Sequence, residues 1–339
     1  MNTTTIKIRH GVMLAILASV FAATGSHASG DKMLQQAAEK EGQLVVYTAN
    51  QLESEQDLVA QFNKEYPNIK VEIVRAPGGR LATRIETEVA AGKLGADVID
   101  MSDRGLVEGF KQVFADYSPP NADKYPDSLK DIPNVWPKTV WGFVIAYNAA
   151  SGVEPPTSWA DLTKQKYHGK VATVVANSGG STWTRALFER KVVSDDYWEK
   201  LAANKPVLYP SGAPAASGIV RGEALVGGVQ SNSVIPMVRE GAPIKVVYPK
   251  EGIPVTASVA GIVKDSKHPN AARLFMNWAL SEKGQSAWVK NGGGFSVMEG
   301  APLPEGADSS TRIWIPDSKE YTTLRNDWLA QWNKIFGVH

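Results

Sequence analysis

From residue 31 onward the apolar positions recur with two different periods, and each change of period marks a new element. A helical pattern runs from Asp31 to Glu41, Gly42 interrupts it, and Leu44-Val45-Val46-Tyr47 follows as a strand. The loop Thr48-Ala49-Asn50 leads into a second helix through Tyr66, with Leu58, Val59 and Phe62 on one face. Pro67-Asn68 ends that helix, and Ile69 to Val74 alternates apolar with charged residues as a strand. Pro77-Gly78-Gly79-Arg80 opens a helix to Ala91, and Gly95-Ala96-Asp97-Val98-Ile99-Asp100 reads as a short buried strand. Strands alternating with helices of about 10–15 residues predict βαβ units and a mainly parallel sheet.

A proline-rich stretch (Pro119, Pro120, Pro126, Pro133, Pro137) separates this region from an apolar strand, Trp141 to Tyr147. A second α/β region begins near Trp159, with strands at Val171–Val175, Val207–Tyr209, Leu225–Val229 and Lys245–Tyr248. Another apolar strand, Thr256 to Val263, precedes the helix Asn270 to Leu280, and Tyr321 to Phe336 reads as an amphipathic helix carrying Leu324, Trp328 and Ile335 on one side. There is no internal repeat. The expected fold class is α/β: two α/β lobes with a ligand cleft between them, joined by a hinge of two strands near 141–147 and 256–263. Lobe 1 is then discontinuous, 29–140 plus 256–300, and lobe 2 holds 141–255 plus 301–339. Ligands of open α/β sheets sit outside the carboxyl ends of the strands, so facing lobes direct both sets of loops at one cleft.

The chain of 339 residues is long enough for two such units. It carries 36 basic and 35 acidic residues; removing Lys7 and Arg9 with residues 1–28 leaves 34 − 35 = −1. A near-neutral chain without basic blocks gives no electrostatic reason to expect nucleic acid or a membrane surface as partner. Cys is absent, which excludes disulfides, thiolate metal sites and thiol nucleophiles. Lys7 and Arg9 precede the apolar run Gly11 to Ala23, and Ser26-His27-Ala28 suits a cleavage site. Residues 1–28 therefore read as a cleavable signal peptide, too short to span a bilayer, and the expected compartment is a periplasm.

Candidate chemistry lies in loops at strand ends. Asn177-Ser178-Gly179-Gly180-Ser181-Thr182 follows a strand and opens a helix expected over Trp183 to Arg190. The first N–H groups of a helix lack internal partners and lie at the positive end of its dipole, so such a segment suits a phosphate, phosphonate or carboxylate. The same residues also make an ordinary N-cap and tight turn. Gly78, Gly79 and Arg80 repeat the design in the first lobe, Arg80 being either a fork for an oxyanion or a solvated side chain. Thr48 and Asn50, Ser102, and Ser231, Asn232 and Ser233 stand at three further strand ends. Trp141 and Trp183 are candidate aromatic walls, although a Trp beside a strand is more often core. No catalytic motif is present: His168, His268 and His339 are scattered, no metal-ligand spacing occurs, and neither a nucleotide loop nor a nucleophile elbow is found. An enzyme is not expected, and no cofactor or metal is implied.

Leu44-Val45-Val46-Tyr47-Thr48, Gly95-Ala96-Asp97-Val98-Ile99, Asn204-Lys205-Pro206-Val207-Leu208-Tyr209-Pro210, Arg221-Gly222-Glu223-Ala224 and His268 to Phe275, ending in Leu280-Ser281-Glu282-Lys283-Gly284-Gln285, occur in an order that resembles the periplasmic solute-binding proteins of ABC importers. The resemblance is to the extracellular solute-binding family 1 group that includes ferric-ion binders. It implies a type II periplasmic binding fold that closes on a solute and presents it to an inner-membrane permease, acting as a monomer. Ferric-ion binders of the group use a His after the first strand, a Glu after the Ala-Asp-Val strand and two adjacent Tyr late in the second lobe. The corresponding positions here hold Gln51, Ser102, Asn232 and Ser233, neutral donors that fit Fe(III) poorly. The leading expectation is a small anionic organic solute. Alternatives are a ferric-ion or ferric-chelate binder and a ligand-presenting sensory protein.

Overall fold

The computed structural model describes residues 30–338, and the expected signal peptide lies outside them. Helix α1 (30–41) leads into β1 (Gln43–Thr48), a largely buried strand flanked on both sides by parallel neighbours, β2 (Lys70–Arg75) and β3 (Val98–Met101). Helix α2 (Leu52–Glu65) connects β1 to β2 and buries Ser54, Leu58 and Phe62, four residues apart and therefore on one face. Helix α3 (Gly78–Ala90) connects β2 to β3 and buries Leu81, Ala82 and Ile85. Successive strand residues point to opposite faces, and the core divides accordingly. Val46 and Val98 pack with Phe62, Phe275 and Trp278 on one face of the sheet, whereas Tyr47 and Ile99 pack with Leu81, Ile85 and Phe114 on the other.

After α4 (Arg104–Gly109), the chain enters β4 (Trp136–Asn148), longer than the apolar run Trp141 to Tyr147 suggests. The strand begins five residues earlier and tolerates Pro137, which cannot donate to a ladder, at a register shift between Pro137 and Thr139. From Trp136 to Gly142, β4 runs antiparallel to β9 (Ile253–Ile262), which in turn pairs with β3. Beyond Gly142 it changes partners, to β7 (Val226–Gln230) from Phe143 to Tyr147 and to β8 (Ile244–Val247) from Ile145 to Asn148. One strand thus belongs to both lobes' sheets. Gly142 is required at the exchange, since a Cβ there would collide with the Ile253 side chain and press on Phe295 and Val255 at 3.2 Å.

The second lobe continues its sheet as β4–β7–β5–β6, with β5 (Val171–Val174) and β6 (Val207–Tyr209) parallel to each other. Helices α5 (Gly180–Phe188), α6 (Tyr197–Ala203), α7 (Gly212–Arg221) and α8 (Ser231–Arg239) cover it. Its core includes the fully buried Trp159, Trp183, Trp198 and Trp332. Helices α9 (Pro269–Ala279) and α10 (Glu282–Asn291) pack on the first lobe through Phe275 and Trp288. The C-terminal segment returns to the second lobe. There β10 (Ile313–Trp314) pairs with Ile253 and Pro254, and the expected helix Tyr321–Phe336 is split at Leu324 into α11 (Ser318–Thr323) and α12 (Arg325–Phe336). Among the described residues, no helix is long and apolar enough to cross a membrane.

Candidate functional site

Each lobe sends strand-to-helix junctions toward the same space. In the first lobe they are β1–α2, β2–α3 and β3–α4; in the second, β5–α5 and β7–α8. Together they enclose a cavity of about 440 Å³ lined by Asn50, Gln51, Arg75, Gly78, Gly79, Ser102, Ser178 to Ser181, Gln230 and Asn232, with Trp141 and Trp288 as its aromatic surfaces. The N-cap positions of α2, α3, α5 and α8 are Gln51, Pro77, Gly179 and Gln230, and none supplies a capping hydrogen bond from its side chain. The first-turn N–H groups of these helices therefore face the cavity's surroundings without a side-chain acceptor. No acidic residue stands in the first turn of α3, α5 or α8. Helix α4 differs: Asp103 accepts from the N–H groups of Gly105 and Leu106 at 3.1 and 3.3 Å, closing that terminus internally. The charged side chains lining the cavity are Arg75, whose Nε donates to the Asn50 carbonyl at 3.2 Å, and Asp103.

Behind Asn50 lies a fully buried ionic group. Lys138 Nζ is 2.6 Å from Glu55 and 2.7 Å from Asp100, and Ser258 donates its hydroxyl to Asp100. The Asn50 amide nitrogen donates to Glu55 at 2.8 Å and to Asp100 at 2.9 Å. Burial pushes Asp100 up to about 6; the Lys138 charge opposes this and the Glu55 charge adds to it. Burial alone would lower Lys138, but the two carboxylates hold it above the usual lysine range. The group ties α2, β3 and the hinge strands β4 and β9 together at the floor of the site.

A second cavity of about 440 Å³ lies between the lobes on the other side of Ser102, bounded by the hinge residues Val255 to Ala257 and by Tyr321 and Arg325. Tyr321 separates the two spaces by donating its hydroxyl to the Gly180 carbonyl at 3.1 Å. The lobes touch around these cavities. Gln51 Nε2 lies 3.5 Å from Ser233 Oγ, Arg325 lies 3.7 Å from Asp103, and Ser318 donates to Asp131 at 2.9 Å.

Of the residues singled out in the sequence, Asn50, Gly78, Gly79, Ser102, Ser178, Gly179, Gly180, Ser181 and Asn232 line the first cavity. Helix α5 starts at Gly180 rather than Trp183, so Gly180, Ser181 and Thr182 form its first turn. The other candidates are placed differently. Trp183 is core, its Nε1 donating to the Tyr321 carbonyl at 2.9 Å. Thr48 is buried, accepting from the Asn50 N–H at 3.1 Å, and Ser231 is buried, accepting from the Gly142 N–H at 3.3 Å. Thr182 closes its own turn, accepting from the Gly179 N–H at 3.0 Å and donating to the Ala176 carbonyl at 2.8 Å. Arg80 and Asn177 are exposed beside the cavity rather than in its lining, and Ser233 meets it only through Gln51. Arg75 and Trp288 were not expected in the lining, whereas Asp103 and Gln230 belong to the strand-end loops of Ser102 and Ser231 that were. Arg75 and Gln230 end β2 and β7, so the strand-end rule that located Asn50 and Ser102 also points to them. Among the described residues, no group of three or more His, Asp or Glu side chains is placed to share a metal ion.

A family model described as bacterial extracellular solute-binding protein matches residues 48–286. A probable ABC transporter periplasmic-binding protein of Sinorhizobium fredii, y4fP, is 24% identical over 289 residues, 77% of this chain and 75% of its own. Among solved structures, the periplasmic binding protein AfuA of Actinobacillus pleuropneumoniae with fructose-6-phosphate bound aligns with a TM-score of 0.68 at 22% identity, covering 88% of this chain and 99% of AfuA. Iron-bound HitA of Pseudomonas aeruginosa aligns with a TM-score of 0.63 at 20% identity, covering 87% of this chain and 97% of HitA. The two similar folds carry different cargoes, so likeness of fold does not name the ligand. With a family match across both lobes and strand-to-helix junctions meeting in the cleft of a type II fold, this chain belongs to the bacterial extracellular solute-binding protein family, whose members serve as the solute-binding components of ABC transporters.

Proposed function

We propose that this protein captures a small organic anion bearing a phosphate, phosphonate or carboxylate in the cavity between its lobes. The observation that carries the reading is the convergence of the uncapped, acid-free N-termini of α3, α5 and α8 on one cavity, with Arg75 at its edge. Such termini offer N–H donors and a positive end of the dipole to an oxyanion. Gly179 to Ser181, with the hydroxyl of Ser178, form the main cradle; Gly78 and Gly79 face it from the first lobe, and Ser102 and Asn232 complete the polar lining. The positions at which ferric-ion binders of the resembled group carry their His, Glu and two Tyr ligands hold Gln51, Ser102, Asn232 and Ser233, which favours an organic anion over bare Fe(III).

The expected signal peptide directs the chain to the periplasm, where the loaded form meets an inner-membrane permease. A ligand touching both lobes stabilises the closed arrangement by its differential affinity for it, and β4 and β9 take up the movement. Thermal unfolding of the protein from residue 29 onward, against sugar phosphates, phosphonates, carboxylates, polyamines and ferric citrate, tests this. A ligand at about 100 times its Kd adds about 2.7 kcal/mol, which for a chain of this size raises Tm by about 4 °C. A shift with one anionic class is the expected result. A shift confined to polyamines or to iron overturns the reading.

A further inference from the structure

Three nearly buried polar side chains on the cavity wall each hold one atom without a partner. Asn50 is 6% exposed, Trp141 7% and Asn232 8%, and the unpaired atoms are Asn50 Oδ1, Trp141 Nε1 and Asn232 Oδ1. Buried polar groups are ordinarily hydrogen-bonded, so three on one cavity point to something that enters it.

Asn50 is the most informative of the three. Its amide cannot be turned round, because only the NH₂ end can donate to the carboxylates of Glu55 and Asp100, and the reverse orientation would set oxygen against oxygen. Lys138 holds both carboxylates in place from the opposite side. The buried ionic group therefore fixes Asn50 as an acceptor at its free end, and the matching ligand atom is a donor. No uncommitted carboxylate lines the cavity to neutralise a cation: Asp103 is bound by the N–H groups of Gly105 and Leu106 and faces Arg325. A hydroxyl fits a neutral amide oxygen in such a place better than an ammonium.

Resting on the anion reading above, we infer that Asn50 and Asn232 are specificity-determining residues that accept hydrogen bonds from hydroxyl groups carried by the ligand beside its anionic group, with Lys138, Glu55 and Asp100 positioning Asn50. The solute is then a hydroxylated phosphate, phosphonate or carboxylate rather than an alkyl or aryl one.

Calorimetric titration with matched probes tests this: glycerol 3-phosphate against propyl phosphate and aminopropyl phosphate, and gluconate against hexanoate. The hydroxylated member of at least one set is expected to bind 10-fold or more tightly than every other member of that set. Asn232→Ala, which leaves the buried ionic group untouched, should reduce that ratio to 3-fold or less by weakening the hydroxylated member more than the plain alkyl anion. Asn50→Ala should do the same if it folds. Equal binding of alkyl and hydroxylated members overturns the hydroxyl inference and leaves the anion reading standing. A preference for the aminoalkyl probe overturns it in favour of a zwitterion. If no anion binds and a polyamine or iron does, the anion reading itself fails.

Discussion

Helices α4 and α5 begin in the same way and differ in what meets their first N–H groups. Each follows a buried strand, β3 or β5, and each starts at the cavity between the lobes. Helix α4 is entered through Asp103, whose carboxylate takes up its first free N–H groups. Helix α5 is entered through Gly179, which has no side chain to do so, and its first turn carries no acid. The helix dipole is therefore common to both, and what distinguishes them is whether the chain has already supplied an anion. The same contrast sets α4 apart from α3 and α8, entered through Pro77 and Gln230 without a capping bond.

The largest effect is expected from making α5 resemble α4. Gly179 has an extended backbone, and a Cβ there meets nothing within 4 Å, so Gly179→Asp fits without strain. The new carboxylate would cap the helix, adding a few tenths of a kcal/mol of stability, and would repel an incoming anion. Affinity for the responding anion should fall by about 3 kcal/mol or more, read by calorimetry, with Tm unchanged or raised. Retained affinity would remove α5 from the site. Next come single hydroxyls of the cradle. Ser178→Ala and Ser181→Ala should each weaken binding by about 1–3 kcal/mol; the Ser181 oxygen already accepts from Gln230 at 2.8 Å, leaving its proton free for the ligand. Unchanged affinity in both would place the ligand elsewhere.

The reverse exchange affects stability instead. Asp103→Ala removes the α4 cap and the contact with Arg325, and should lower stability by about 1 kcal/mol in chemical denaturation without weakening anion binding. Loss of binding in this variant would show that α4 belongs to the cradle. The smallest effect concerns Asp100 behind Asn50. In the folded chain it titrates at about 6 because it is buried, against about 3.9 in the unfolded chain. Between these values the folded state binds the proton more tightly, so this group's contribution to stability falls as pH rises. From about pH 5.5 to about pH 7.5 the loss amounts to about 1 kcal/mol. Asp100→Asn, which leaves one buried cation facing one buried carboxylate, should flatten that slope in denaturation curves taken across the range. An unaltered slope would mean that another group is responsible.

The parts of the fold that could be read along the chain are those in which one element covers one face of another. β1, α2, β2 and α3 were placed to within a few residues because apolar spacing changes cleanly from period two to period four between Leu44 and Ala91. Helices α7 and α8 escaped, since Gly212-Ala-Pro-Ala-Ala-Ser-Gly and the internal Pro236 are poor helix formers, and packing on the sheet overrides propensity there. The rule that ligands meet strand ends located much of the cavity lining from sequence. It could not tell a side chain that faces the cavity from one turned inward, so Thr48 and Ser231 were counted with Asn50 and Asn232. The Lys138–Glu55–Asp100 group had no local signature at all. Glu55 stands near Glu53 and Asp57 on α2, and it is joined to Lys138 only by the tertiary fold, 83 positions away.

The exchange of partners along β4 has a mechanical consequence. A joint made of two loose linkers swivels and can stop at any angle. Here a single pleated ribbon is stitched into one sheet up to Gly142 and into the other from Phe143 onward, so the lobe closure proposed above would have to flex one continuous strand. Such a joint behaves as a leaf spring. In the closure proposed above it would store a little work when bent, release it on return, and bring the two halves of the proposed binding surface back into the same alignment.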